Sequence, residues 1–166
     1  MNDYICVGKI VNTFGIKGEL KVISDFEYKD RVFIKGFNIY VGEYKYKEVI
    51  ESHRVHKNND LILFNGYTDI NEVLKYKGYN IYIDKNDLKL NDGEYLLNDL
   101  IGFNVYDNDD YLGEVILYER NVSNILLKVK GDKEFYIPYI NEYIKEIDID
   151  NKKIMTNNGR SLIIWE

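Results

Sequence analysis

Two glycines bracket Ile16 and Lys17 in the stretch Asn12-Thr-Phe-Gly-Ile-Lys-Gly-Glu-Leu-Lys-Val22. A G-x-x-G pair can cradle a phosphate, clamp nucleic acid, or simply bend the chain. A dinucleotide cradle needs a third glycine and a helix opening directly after it, whereas Glu19-Leu20-Lys21-Val22 alternates as a strand does. The nucleic-acid clamp of KH domains joins helices, and here both flanks read as strand. The favoured reading is a structural turn in which Gly15 and Gly18 supply backbone conformations closed to other residues. Beside it, Phe14, Lys17 and Lys21 form a small basic and aromatic patch able to touch phosphate and stack on a base. Solvated lysines on a strand face are the plainer alternative.

The remaining chemical candidates are weaker. His53 and His56 lie three apart, which on a strand puts them on opposite faces, with no cysteine or carboxylate cluster nearby to complete a metal site. Asp107-Asn-Asp-Asp110 starts like a calcium loop, but Tyr111 and Leu112 stand where an oxygen ligand and a glycine are required, so it reads as a hairpin turn. Ser24, Ser52, Ser123 and Ser161 lack a nucleophile-elbow context. Cys6, the single cysteine, sits in the apolar run Ile5-Cys6-Val7 and is expected to be a buried small hydrophobe. No metal or cofactor is expected, and no catalytic residue.

The elements that must position these residues are mostly strands. Of the 166 residues, 45% are hydrophobic and 30% charged, enough apolar material for a core and too balanced for disorder. Short runs rich in Ile, Val, Tyr and Phe recur between Gly, Asn and Asp turns, the pattern of a barrel or sandwich. One short helix has both ends marked: Thr68 or Asp69 can cap it, Glu72 completes a capping box, Gly78 can stop it, and Ile70, Val73 and Leu74 would form its apolar face. A second helix is expected to start at Pro138, with Tyr139, Ile140, Tyr143, Ile144 and Ile147 as its apolar face. Between them the hairpins 102–117 and 124–137 are implied. The apolar end Leu162-Ile-Ile-Trp165 should pack back on the protein.

The polar, turn-rich stretch Asp84 to Gly93 marks a boundary, and charge changes across it. Up to Asp87 there are 13 Lys+Arg and 13 Asp+Glu; from Leu88 onward 22 − 13 = 9 basic residues face 28 − 13 = 15 acidic ones, net −6. An acidic second half suits a basic protein partner better than a phosphate backbone. The start of the chain lacks the form of a signal peptide and no apolar run is long enough to span a membrane, so a cytoplasmic protein without membrane contact is expected.

Four segments in order, GKIVNTFGIKGELKV, DINEVLKYKGYNIYI, GEYLLNDLIGFNVYDNDDYLGEV and YIPYINEYIKEIDIDNKKI, together resemble the RimM family of ribosome maturation factors over nearly the full length. The resemblance implies a mainly β protein: a six-stranded N-terminal β-barrel over 1–85, a linker over 86–93 and a PRC-barrel over 94–166, with one or two short helices. It implies a noncatalytic, monomeric assembly factor that binds the nineteenth protein of the small ribosomal subunit, in the subunit head, and assists processing of the small-subunit rRNA, which the Phe14, Lys17 and Lys21 patch would face. The family's Y-Y-W-x-D-L opening of the second barrel appears here as Tyr95-Leu96-Leu97-Asn98-Asp99-Leu100, so the resemblance assigns partner binding to Tyr95, Leu96 and Asp99, with packing inside the protein as the alternative. The family often has histidine where this chain has Phe14, which removes any polar role of that position. Two rival readings remain: a flavin- or small-ligand-binding barrel of the reductase type, because fold alone does not set function, and a stand-alone RNA-binding module.

Overall fold

The computed structural model describes residues 3–120 and 124–163. The chain is mainly β and divides into two compact units, Met1–Lys89 and Leu90–Glu166.

The first unit contains β1 (Tyr4–Phe14), β2 (Glu19–Ile23), α1 (Lys29–Val32), β3 (Asn38–Val41), β4 (Tyr46–His56), β5 (Asn59–Phe64), α2 (Ile70–Val73) and β6 (Asn80–Asp84). All neighbouring strands pair antiparallel, and the order β1-β2-β5-β4-β3-β6 returns to β1 as a closed barrel. Alternation makes the core: Leu20 and Val22, Ile39 and Val41, and Ile81 and Ile83 all point inward and are buried. The two eleven-residue strands are bulged, β1 at Cys6/Gly8 and Ile10/Asn12 and β4 at Ile50/Ser52. Such bulges bend long strands enough to turn the corners of a small barrel. Cys6 is exposed rather than buried. With Val7 directed into the core, its neighbour on a strand must face the other way.

The barrel interior also holds a charge. Asp60, on β5, is 2% exposed. Its carboxylate accepts from Lys29 Nζ on α1 at 3.0 Å and contacts His53 Nε2 on β4 at 2.7 Å. Lys29 also donates to the Ser24 carbonyl at 3.2 Å, so one carboxylate ties α1 to the sheet. The His53 ring packs on Phe33, while His56 lies beside Phe14, so the two histidines occupy separate surroundings. Among the described residues, no group of three or more His, Cys, Asp or Glu is placed to hold a metal ion.

Helix α2 starts with the capping box at Asp69 and Glu72. After Val73 the chain tightens into a 3-10 turn, Leu74–Tyr76. Three-residue spacing then brings Tyr76 rather than Leu74 into line with Val73; Tyr76 is buried and Leu74 is 48% exposed, which corrects the expected apolar face. The hydroxyls of Tyr67 and Tyr76 both donate to Glu48 Oε2, and burial, then that carboxylate, push the Tyr76 phenol up.

The second unit opens with a 3-10 turn, Leu97–Leu100, followed by β7 (Asn104–Asp107), β8 (Asp110–Arg120), β9 (Ile125–Lys130), β10 (Glu134–Pro138), β11 (Ile144–Asp148) and β12 (Lys153–Thr156). Its sheet order is β10-β9-β8-β7-β12-β11, with β12 and β7 parallel and the other pairs antiparallel. The pairing runs from β10 to β11, and these two strands are the sheet's edges. Leu97, Leu100, Phe103, Val105, Leu127 and Ile137 fill its core, and Leu162 and Ile163 pack against it. Trp165 and Ser123 lie outside the described residues.

The helix expected after Pro138 does not form. Pro138 ends a strand instead, opposite Leu126, and Ile144 to Asp148 pair with β12. Only one helical turn lies between, closed by the Ile144 N–H donating to the Ile140 carbonyl at 2.9 Å. Tyr139, Tyr143, Ile144 and Ile147 still pack on the core, but from a turn and a strand, and Ile140 stays exposed. A single amphipathic turn gains little from its own hydrogen bonds, so pairing with β12 prevails over the helical pattern.

Candidate functional site

The Gly15–Gly18 loop joins β1 to β2, with Phe14 opposite Glu19. Both glycines have positive φ, +69° and +102°, and a Cβ on Gly18 would lie 3.4 Å from the Asp69 carbonyl oxygen. The loop therefore rests on the start of α2, where the Ile70 N–H donates to the Ile16 carbonyl at 2.9 Å. The other donors at that helix start are taken as well. Glu72 Oε1 accepts from the Thr68 and Asp69 N–H groups, and Asp69 Oδ1 accepts from the Asn71 N–H. The start of α2 thus spends those donors inside the protein rather than on a phosphate.

Beside the loop the barrel gathers cationic groups. Arg54, on β4, grips the Glu19 carboxylate with Nε at 3.0 Å and Nη2 at 2.8 Å. Its guanidinium stands 5.5 Å from the centre of the Phe14 ring, and the His56 ring lies 5.0 Å from that of Phe14. Lys21 shares a row with Arg54 through Leu61. Lys17 is exposed at the loop tip, with Ile16 at 77%. Phe14, Lys17 and Lys21 thus share a neighbourhood with Arg54 and His56. The last two were missed from sequence because they arrive from a strand more than 30 residues away, and only the β4–β5 register reveals them.

The Glu19 carboxyl is held below its usual range, chiefly by hydrogen bonds from Arg54, with the charges of Arg54, His56 and Lys17 adding to the effect against the opposing cost of burial. A carboxyl with a lowered folded-state pKa contributes stability that is present above its unfolded value and lost as pH falls through the folded one. The Glu19–Arg54 clamp should therefore survive acidification through the ordinary glutamate range. An NMR titration of the Arg54 Nε–H should show it intact near pH 4.5, and release at higher pH would contradict the clamp.

In the second unit, Tyr95, Leu96 and Asp99 have different surroundings. Tyr95 is half-buried and its hydroxyl is hydrogen-bonded to that of Tyr139. Leu96 is 4% exposed. Its N–H donates to Asp99 Oδ2 at 3.2 Å, and the Asp99 N–H donates to the Leu96 carbonyl at 2.9 Å, which starts the turn that carries Leu97 and Leu100 into the core. A groove of about 300 Å³ lies beside Tyr95, lined by Tyr139, Ile140 and Asn141 on its own side and by Ile144 to Ile147 of β11. Tyr139 was hidden from the sequence reading by its assignment to a helix.

Among the described residues, no helix is long and apolar enough to cross a membrane. Two family models match the chain: the RimM N-terminal domain over residues 5–88 and the RimM PRC barrel domain over residues 97–158. The ribosome maturation factor RimM of Staphylococcus haemolyticus is 42% identical over 153 residues, covering 89% of this chain and 92% of its own. That of Staphylococcus aureus is 38% identical over 162 residues, covering 95% and 97%. A solved RimM structure from Pseudomonas aeruginosa is 23% identical and covers 96% of this chain and 99% of its own, with a TM-score of 0.48. The chain belongs to the RimM family, noncatalytic factors of ribosome biogenesis built from a RimM N-terminal domain and a PRC-barrel domain.

Proposed function

We propose that this protein is a cytoplasmic, monomeric assembly factor that docks on a basic protein of the small-subunit head, the nineteenth small-subunit protein, and so assists maturation of the particle and processing of its rRNA. In this reading the N-terminal domain spans 1–85 and the C-terminal PRC-barrel 94–166, with 86–93 as the connection between them. The observation that carries the reading is the acidic second domain with a groove whose lining includes two tyrosines. Fifteen acidic against nine basic residues lie from Leu88 onward, and Tyr95 and Tyr139 join hydroxyls at the groove. Opposite charge steers such an encounter, and a rigid aromatic anchor holds it. Tyr95 is the anchor and Asp99 its acidic flank, while Leu96 serves from inside by fixing the turn that presents them. The first domain, neutral as a whole, turns Phe14, Lys17, Lys21 and Arg54 towards rRNA, where phosphate contacts position rather than specify.

Binding of the purified nineteenth small-subunit protein to the full chain should weaken as salt rises. Tyr95→Ala should cost about 2 kcal/mol, roughly a thirtyfold loss of affinity, as for an aromatic anchor. Titration calorimetry at two ionic strengths reads both effects. Affinity indifferent to salt and to Tyr95→Ala would remove this surface from the account.

A further inference from the structure

Arg54 has more donors than its clamp uses. Nε and Nη2 each give an N–H to the Glu19 carboxylate, at 3.0 and 2.8 Å. A guanidinium presents its N–H groups as a planar fork, so Nη1 and the second N–H of Nη2 remain along the edge turned away from Glu19. Among the described residues that edge has no hydrogen-bond partner, and Arg54 is exposed. Glu19 is the better buried of the two, at 21% against 54%. Its paired hydrogen bonds fix the plane of the guanidinium, which a single bond would leave free to turn. The free edge then offers two N–H groups side by side, the arrangement that two oxygens of a phosphate or a carboxylate accept.

The surroundings decide between these anions. Lys21 lies in the same row of the sheet as Arg54, and Lys17 is close enough to Glu19 to help hold that carboxyl ionised. Neither lysine is in an ion pair among the described residues. The other carboxylates at the loop, Asp69 and Glu72, accept from N–H groups at the start of α2. Positive charge therefore prevails around the free edge. Next to it stand two half-buried rings, Phe14 at 5.5 Å from the guanidinium and His56 at 5.0 Å from Phe14. A carboxylate of an acidic peptide has no use for flat rings beside its cation. Unpaired bases stack on such rings and on guanidinium planes while their phosphates take the donors, whereas the bases of a duplex are already stacked on one another.

We propose that Arg54, positioned by Glu19, takes a phosphate of single-stranded or looped RNA on its free edge, with Lys17 and Lys21 as flanking phosphate contacts and an unpaired base stacked at Phe14 and His56. The inference rests on the reading that the first domain faces rRNA, and it names the residue that grips the strand and the one that aims it. Glu19 is a positioning residue. Its charge opposes an incoming anion, yet by fixing the fork it favours that anion's capture.

Fluorescence polarisation of a short, labelled single-stranded RNA with the full chain tests it. Arg54→Ala should weaken binding about tenfold and reduce the slope of log affinity against log salt by about 0.7. Arg54→Lys keeps the charge without the fork and should still weaken binding about fivefold; affinity equal to wild type would overturn the fork. Glu19→Gln removes a negative charge and should nonetheless weaken binding about threefold, whereas tighter binding would show that charge alone acts here and overturn the positioning. Displacement of the RNA by polyglutamate as effectively as by unlabelled RNA would assign the site to an acidic protein instead. RNA binding unmoved by all three variants would overturn this site and leave the rRNA-facing reading of the first domain in place. No RNA binding by a chain that still binds the nineteenth small-subunit protein would overturn both of these and leave the protein docking intact.

Discussion

Gly131→Ala should destabilise the second domain by about 3 kcal/mol, within the upper range for overpacking, and lower its unfolding midpoint by roughly 15 °C. Gly131 directly follows β9, where the chain runs against the backbone of β8. A Cβ placed there would stand 2.1 Å from the Leu112 carbonyl oxygen and 3.4 Å from the Gly113 Cα. Gly113, facing it, has a φ of +147°, and a Cβ of its own would meet the Lys130 carbonyl oxygen at 2.6 Å. The neighbours are backbone atoms, so no rotamer change relieves the clash. Relief requires β8 and β9 to part, and these strands carry Val115, Leu127 and Val129 of the core. Thermal unfolding followed by hydrogen exchange in each domain should show early loss of protection over β7–β12 and unchanged protection over β1–β6. An unchanged midpoint would mean that the two backbones are not held this close.

Asp60→Ala should cost the first domain about 3 kcal/mol. Removing one partner of a buried ion pair strands the other, which typically costs 3–5 kcal/mol. The lower end applies because the Lys29 side chain is 36% exposed and water can recover part of its charge. His53, at 21%, and the anchorage of α1 lose more. Asp60→Asn should recover about half of the loss, since an amide oxygen can accept from Lys29 while its nitrogen donates to a neutral His53. Urea unfolding of the two variants, followed by exchange over β1–β6, separates these outcomes. Equal stability of wild type and Asp60→Ala would show that the buried carboxylate contributes nothing net.

Much of the secondary structure could be read from local pattern. Ile39 and Val41, and Ile81 and Ile83, alternate strictly because one face of each strand is buried in the barrel. The Asp69 and Glu72 capping box could be read because its partners are three residues apart. What escaped depended on distant partners. The residues following Pro138 have helical periodicity, yet β12 claims Ile144 to Asp148 as a strand. Cys6 lies in an apolar run, yet strand alternation and a bulge at Cys6/Gly8 turn it outward. The same holds at the candidate sites: Arg54 reaches Glu19 across 35 positions, and Tyr139 reaches Tyr95 across 44. No window of sequence contains both partners. Asp60 likewise takes Lys29 from 31 positions away, alongside His53 seven positions away.

The two domains carry different electrostatic designs. In the first, 13 basic and 13 acidic residues balance up to Asp87, and its charges are locally paired, as at Glu19–Arg54 and Lys29–Asp60. In the second, Lys128–Glu134 and Arg160–Asp110 are paired in the same way, and the 15 acidic residues from Leu88 onward still outnumber the 9 basic ones.

Co-sedimentation with immature and mature small subunits at matched salt tells whether this chain acts on small subunits under assembly. The protein should travel with immature particles, Tyr95→Ala should reduce the bound fraction, and mature subunits should leave the protein at the top of the gradient. Equal binding to both particles, or to neither, would contradict this.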